Sequence, residues 1–176
     1  MTKHKTRETH SDYIDRIDSK FKRLGNGAFA NVYQHPKRNV VVKVFDAKDD
    51  KGYARYLKWA EKNQQNPYVP KIHHVERFTN KRENEEITVV FMEKLKAARY
   101  KHLEELIDKL PLGYDLDQYS SSEWFRVSRS DVDDKHLIEI AKFFCQELPE
   151  GVDLDLHDEN YMRRNNGQIV FTDPFA

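Results

Sequence analysis

Apolar and polar residues alternate over short runs in the first half of the chain and recur at helical spacing in the second. Phe21–Leu24, Val32–Gln34 and Val40–Phe45 are β-type runs separated by Gly25-Asn-Gly27 and by His35-Pro-Lys-Arg-Asn39, clusters of turn formers that close hairpins. From Gly52 to Gln65 the period becomes helical, with Tyr56, Trp59 and Ala60 on one face. Asn66-Pro67 ends that helix, because the residue before a proline is pushed out of the α region. Two more strands are predicted over 71–78 and 86–93, joined by the charged turn 79–85. Leu103, Leu106, Ile107 and Leu110 then fall on one helical stripe that stops at Pro111. Leu137, Ile140, Ala141, Phe144 and Leu148 repeat it and stop at Pro149, with Asp133 or Asp134 placed to cap the start. Between them, residues 112–132 are rich in Ser and Asp and carry Trp124 and Phe125. That stretch is too long for a simple connector and reads as a functional or partly mobile insertion.

The last part of the chain carries the strongest chemical signal. Asn166-Gly167 is the preferred centre of a tight two-residue hairpin, flanked by Tyr161-Met162 and Ile169-Val170-Phe171. With that turn, Asn165 faces Gln168, Tyr161 faces Thr172, and Asn160 faces Asp173. Directly opposed residues of an antiparallel pair lie roughly 4.5–5.5 Å apart at Cα. A carboxylate and an amide oxygen then converge, with Asp155 just upstream of Asn160. Hard oxygen donors of this kind suit Mg²⁺ carrying phosphates. A second signal lies in Leu24-Gly-Asn-Gly-Ala-Phe-Ala-Asn-Val-Tyr33, a glycine loop between two strands, where backbone can approach a phosphate closely. It is followed by Val40-Val-Val-Lys43. A lysine amid valines needs an anion, and a nucleotide phosphate supplies one.

Composition narrows the field. A chain of 176 residues forms one domain or two small lobes. Its 30 Lys+Arg balance 30 Asp+Glu, for a formal net charge of zero. This argues against a nucleic-acid or membrane-surface binder whose affinity rests on bulk charge. The single cysteine, Cys145, sits in the apolar run Ala141-Lys-Phe-Phe-Cys and reads as a buried structural thiol of a cytosolic protein. The N-terminus has no apolar signal region and no later segment approaches the length of a membrane span. Residues 1–20 read as a tail or short helix.

Taken in order, these pieces resemble the protein-kinase fold. Gly25, Asn26 and Gly27 with Val32 resemble its glycine-rich loop, Lys43 its strand-three lysine, and Phe91-Met-Glu-Lys-Leu95 its strand-five and hinge segment. Asp155-Leu-His-Asp-Glu-Asn160 resembles the catalytic loop with its Asp-x₄-Asn spacing, and Asp173 stands where the metal-binding Asp of D-F-G stands. The wording is most similar to the early-expressed serine/threonine kinases of short-tailed bacteriophages, through Phe-Lys-Arg-Leu-Gly-Asn-Gly, the valine-rich lysine strand, Asp-x-His-x-x-Asn and Thr-Asp-Pro.

The resemblance implies an α+β, two-lobed fold. An antiparallel lobe with one helix would span 21–95, and a truncated, mainly helical lobe 96–176 would end just after Asp173. It implies ATP and Mg²⁺ as cofactors and host proteins as phosphoryl acceptors during phage takeover, such as transcription, RNA-processing or defence components. Lys43 would hold the α/β-phosphates under the glycine loop, with Glu61 as its candidate ion-pair partner. Glu93 and Leu95 would offer backbone groups to adenine. Asp155 would accept the proton of the attacking hydroxyl, Asn160 and Asp173 would hold the metal, and His157 would be scaffold. Ser120, Ser121, Ser122, Ser128 and Ser130 lie near Arg126 and Arg129, so the segment reads either as a site of autophosphorylation that new charge-assisted pairs would order or as a solvated serine-rich loop without regulation.

Departures are equally plain. The third loop glycine is Ala30, the His-Arg that usually precedes the catalytic Asp is Asp153-Leu154, D-F-G reads Asp173-Pro-Phe, and nothing long enough for an activation segment follows Asp173. Two other readings stay open. The Asp-Leu-His-x-x-Asn loop also resembles small-molecule phosphotransferases of the aminoglycoside and choline type. A kinase-like module that binds and blocks a host protein is the other.

Overall fold

The computed structural model of the chain describes residues 10–80, 85–98, 112–114, 125–127, 134–146, 152, 154–155 and 160–175. Two compact units are formed, residues 1–50 with 73–94 and residues 51–72 with 95–176. The architecture is α+β. The stripe predicted over 103–110, the turn residues 81–84, most of the 112–132 insertion and His157 lie outside the described residues.

The first unit is built on a five-stranded sheet in the order β1-β2-β3-β5-β4. Its strands are β1 (Lys22–Asn26), β2 (Ala30–Gln34), β3 (Val40–Asp46), β4 (Ile72–Asn80) and β5 (Glu85–Glu93). β1 with β2, β2 with β3, and β3 with β5 pair antiparallel. Successive side chains of a strand point to opposite faces, so each strand divides its residues between two environments. Val42 and Val44 of β3 share one face with Tyr33 of β2 and Val89 of β5. That face is covered by a helix, α1 (His10–Lys20), through Tyr13 and Ile17. Burying Ile17 contributes about 1.5–3 kcal/mol. Tyr33 Oη also donates to Asp18 Oδ1 at 2.8 Å, tying β2 to α1. Lys43 lies on the opposite face, directly opposed by Val32 of β2 and Val90 of β5.

The second unit contains helix α2 (Lys51–Lys62), helix α3 (Lys135–Gln146) and the strands β6 (Lys96–Ala97), β7 (Leu112–Tyr114), β8 (Phe125–Val127), β9 (Tyr161–Arg163) and β10 (Ile169–Phe171). β10, β9 and β6 form one small sheet, while β7 and β8 pair within the insertion. The predicted stripes of α2 and α3 meet here as aromatic packing. Trp59 stacks on Phe143 with ring centroids 4.6 Å apart, and Phe144 meets the rings of Phe171 and Phe175 edge-on. Asp134 caps α3, as its position before the helix predicted, because its Oδ1 accepts from the backbone N–H groups of His136 and Leu137. Tyr68 donates to the other carboxylate oxygen at 2.7 Å. Partial desolvation works to raise the Asp134 pKa, but the bonds from Tyr68 and the two amides outweigh it and hold the carboxyl below its ordinary value. The Tyr68 phenol is pushed up, by burial first and then by the same carboxylate. Asn66 is buried at the end of the α2 segment and donates to His136 O, joining the Asn66-Pro67 turn to α3. Among the described residues no helix is long and apolar enough to cross a membrane.

Candidate functional site

Within the first unit the glycine segment begins on β1 and turns at residues 27–29. Gly25 is opposed by Val32, and Val32 by Lys43, so three of the expected phosphate-side residues lie in one row across the sheet. A bulge at Leu24 shifts the register between Arg23 and Gly25. Gly27 N donates to Ala30 O at 2.8 Å, closing the loop, while a side chain added at Gly25 would meet nothing within 4 Å. That open backbone is what a ligand needs to come close. Leu24 and Phe29 are exposed on either side of it.

Lys43 is buried, and its Nζ lies 3.9 Å from Asp50 Oδ2 and 5.8 Å from the Phe45 ring centroid. Sequence reasoning passed over Asp50. It follows β3 by a short turn, and in the sequence it looks like one of several surface aspartates. Glu61 lies on α2, in the second unit. Glu93 closes β5 opposite Val40, and Lys94 N donates to Asn39 O, so the hinge-like segment leaves the sheet beside the β2–β3 turn. Leu95 begins the next stretch of the second unit.

In the second unit the C-terminal hairpin forms, with one change from the predicted register. Arg163 pairs with Ile169, Met162 with Val170 and Tyr161 with Phe171. The turn holds three residues instead of two. Arg164 N donates to Gln168 O and Gly167 N to Arg164 O, and Gly167 takes φ +90°. A residue with positive φ as the third loop member makes a bulged hairpin, and glycine supplies that conformation without steric cost. The extra residue moves every opposed pair by one place, so the expected facing of Asn165 with Gln168 and of Tyr161 with Thr172 is replaced. The expected facing of Asn160 with Asp173 is replaced in the same way, since the observed register carries Thr172 to the place across from Asn160; the backbones stay adjacent, because Asn160 O accepts from both Thr172 N at 2.8 Å and Asp173 N at 3.1 Å.

Asp155 joins the same knot. Its backbone N donates to Pro174 O at 2.8 Å, Leu154 bridges Phe175, and Asn160 Nδ2 donates to Asp155 O at 3.0 Å. With Nδ2 committed, Asn160 Oδ1 is the oxygen left for a cation. The backbones of Asp155, Asn160 and Asp173 are thereby gathered on a short length of antiparallel chain, and their side chains are two carboxylates and an amide. This donor set fits Mg²⁺, which takes one or two carboxylates and completes its shell with water and phosphate oxygens. No group of three or more His, Cys, Asp or Glu gathers among the described residues. A metal here would therefore depend on this mixed set and on oxygens brought by a nucleotide.

The surroundings hold the knot in place. Tyr56 of α2 donates to Phe171 O at 2.6 Å, two residues before Asp173. Its phenol pKa is raised well above the usual value, by complete burial first and by the Asp173 charge second, with Arg164 opposing. Arg164 in turn donates to the backbone oxygens of Pro67 and Val69, spanning the turn after α2. At the start of α2, a Cβ on Gly52 would sit 2.7 Å from Phe175 Cβ and 2.9 Å from Val152 Cγ1. Helix and C-terminal strand touch there without room for a methyl group. The signals for these supports were present as a lone glycine inside a helical pattern and an aromatic just past Asp173, but neither reveals its partner from the sequence.

A protein-family model described as Bacteriophage T7 protein kinase 0.7 matches residues 8–176 of this chain. No curated protein matches it.

Proposed function

The chain belongs to the bacteriophage T7 protein kinase family, and on that premise we propose that it transfers the γ-phosphoryl group of ATP to serine and threonine hydroxyls of host proteins, and to its own chain. The observation that carries this reading is the backbone knot joining Asp155, Asn160 and Asp173, three residues whose side chains are those phosphoryl transfer requires. Asp155 accepts the proton of the attacking hydroxyl and orients it. Asn160 and Asp173 hold Mg²⁺, which supplies charge neutralisation at the phosphate oxygens. Lys43 contacts the α/β-phosphates, beneath backbone N–H groups of the loop containing Gly25, Asn26 and Gly27, with Val32 against the base. Glu61 is the helical carboxylate that the resemblance offers Lys43, and the backbones of Glu93 and Leu95 receive adenine. Little covalent chemistry falls to the protein in such a transfer, so its contribution is positioning and preorganised charge. The reaction takes place in the host cytoplasm.

The test is transfer of label from γ-labelled ATP in a host lysate. We expect phosphoserine and phosphothreonine on several host proteins, and on the segment 120–130, all lost in Asp155→Asn. Rapid transfer to an aminoglycoside or choline-like alcohol, with no labelled protein, would overturn the reading in favour of a small-molecule kinase. Stable binding of one host protein without any transfer would overturn it in favour of a blocking module.

A further inference from the structure

Resting on the kinase reading above, we propose that Asp50 is the carboxylate that positions Lys43 for nucleotide phosphates, a role the resemblance alone assigns to Glu61. Both members of the pair are sequestered, with side-chain exposures of 7% for Lys43 and 11% for Asp50. Val32 and Val90 flank Lys43 as apolar strand neighbours, and Asp50 brings an opposite charge within reach of its ammonium. At 3.9 Å the two charges are close enough to attract strongly, yet beyond hydrogen-bond length. Asp50 thus attracts the ammonium at a distance that takes up none of its N–H groups in a bond to Asp50 Oδ2, a pairing compatible with a lysine that also grips phosphate.

The placement of Asp50 is itself fixed by the fold of the first unit. Asp50 N donates to Asp46 O at 2.9 Å, closing a turn immediately after β3. Asp46 Oδ1 accepts from Lys48 N and from Glu86 N, and Ala47 N donates to Glu86 O, so the turn is stitched to the start of β5. Lys43 and Asp50 thus stand on one strand and the turn that leaves it, in the same compact unit. Glu61 belongs to α2 in the other unit.

The experiment measures binding of a non-hydrolysable ATP analogue by calorimetry, and kcat and KM for ATP, in wild type, Asp50→Asn, Asp50→Glu, Lys43→Ala and the Lys43→Ala/Asp50→Asn pair. Misplacing the lysine should cost Asp50→Asn on the order of 10²-fold in kcat/KM, with part of the loss appearing as a raised KM for ATP. Asp50→Glu, which keeps the charge and displaces it by one methylene, should recover part of that loss. In the Lys43→Ala background Asp50→Asn should cost nothing further, the coupling that separates positioning from a merely structural role. If Asp50→Asn does not fold, Asp50→Glu carries the test alone, and wild-type kcat/KM in it would overturn the proposal. So would equal losses from Asp50→Asn with and without Lys43, or a larger loss in Glu61→Gln than in Asp50→Asn. Nucleotide binding weakened by Lys43→Ala but untouched by Asp50→Asn would sink the positioning role and leave the kinase reading standing. No nucleotide binding by the wild type would sink both.

Discussion

Gly52→Ala is the smallest change that should reach the segment carrying Asp155, Asn160 and Asp173 from a distance. A methyl group there would lie 2.7 Å from Phe175 Cβ and 2.9 Å from Val152 Cγ1, where ordinary contact begins at 3.4 Å. Phe175 cannot yield cheaply. Phe175 is buried among the rings of Tyr56, Phe143 and Phe144, and its backbone bridges Leu154 next to Asp155. Overpacking of this kind costs about 1–3 kcal/mol. An opposing gain comes from replacing a helical glycine with alanine, about 0.8–1.0 kcal/mol in a helix interior and less in the first turn, where Gly52 stands. The clash should win by roughly 1–2 kcal/mol. For a chain of this size that is a fall of about 2–8 °C in Tm. Because the strain falls on the segment carrying Asp155 and Asp173, the variant should also need more Mg²⁺ for activity. Val152→Ala in the same chain removes only the longer of the two contacts and should restore part of the lost stability. Differential scanning fluorimetry with and without Mg²⁺ and nucleotide makes the measurement. A Tm equal to or above wild type, as glycine-to-alanine gives in open space, would refute the packing argument.

Asp155→Asn should lower transfer by about 10²–10⁴-fold, the range of a lost general base, while the affinity for ATP stays near wild type in calorimetry; equal loss of both would point to a structural role. Asp173→Asn should raise the Mg²⁺ concentration required for half-maximal activity, or abolish activity, and an active variant with unchanged Mg²⁺ dependence would argue that the residue only closes the hairpin. Asp134→Ala should cost about 0.5–2 kcal/mol in denaturant unfolding through loss of the α3 cap. Since the folded Asp134 carboxyl is held below its ordinary value, its contribution is complete above the unfolded carboxylate's pKa and fades as pH falls through the lower folded value. The gap between wild type and Asp134→Ala should accordingly be constant near neutrality and close in acid; a gap that widens in acid would contradict that sign.

Much of the local structure was legible because period and punctuation agree. The valine-rich run of β3 buries Val42 and Val44, the α2 stripe buries Tyr56 and Ala60 with Trp59 half-buried beside them, and the Leu137 to Phe144 stripe of α3 buries the residues the pattern selects. The end of the chain was legible for a different reason, since Asn-Gly between two apolar runs fixes where the hairpin must be. Its register was not. Whether Asn165 belongs to the strand or the loop is decided by the twist of the pair and by the φ of Gly167, and both turn lengths suit the same residues. Helix α1 carries Tyr13, Ile14 and Ile17 at helical spacing, with Phe21 just past its end, but so short and charged a segment forms only when a sheet face receives it. Asp50 was invisible for the same cause, since its meaning comes from what β3 brings beside it.

The three-residue turn at 165–167 bears on how this chain can diverge. Exposed hairpin tips are where insertions and deletions ordinarily accumulate, because little is buried there. Here Asn165, Asn166 and Gly167 are exposed, yet their number decides which residue of the returning strand stands across from Asn160. Loss of one residue would restore the tighter turn and slide Thr172 and Asp173 by one place, exchanging which side of the strand each presents. Substitution at this tip is cheap and length change is not. Descendants of this sequence should therefore vary freely in what residues 165 and 166 are, while keeping the count between Arg164 and Gln168 constant.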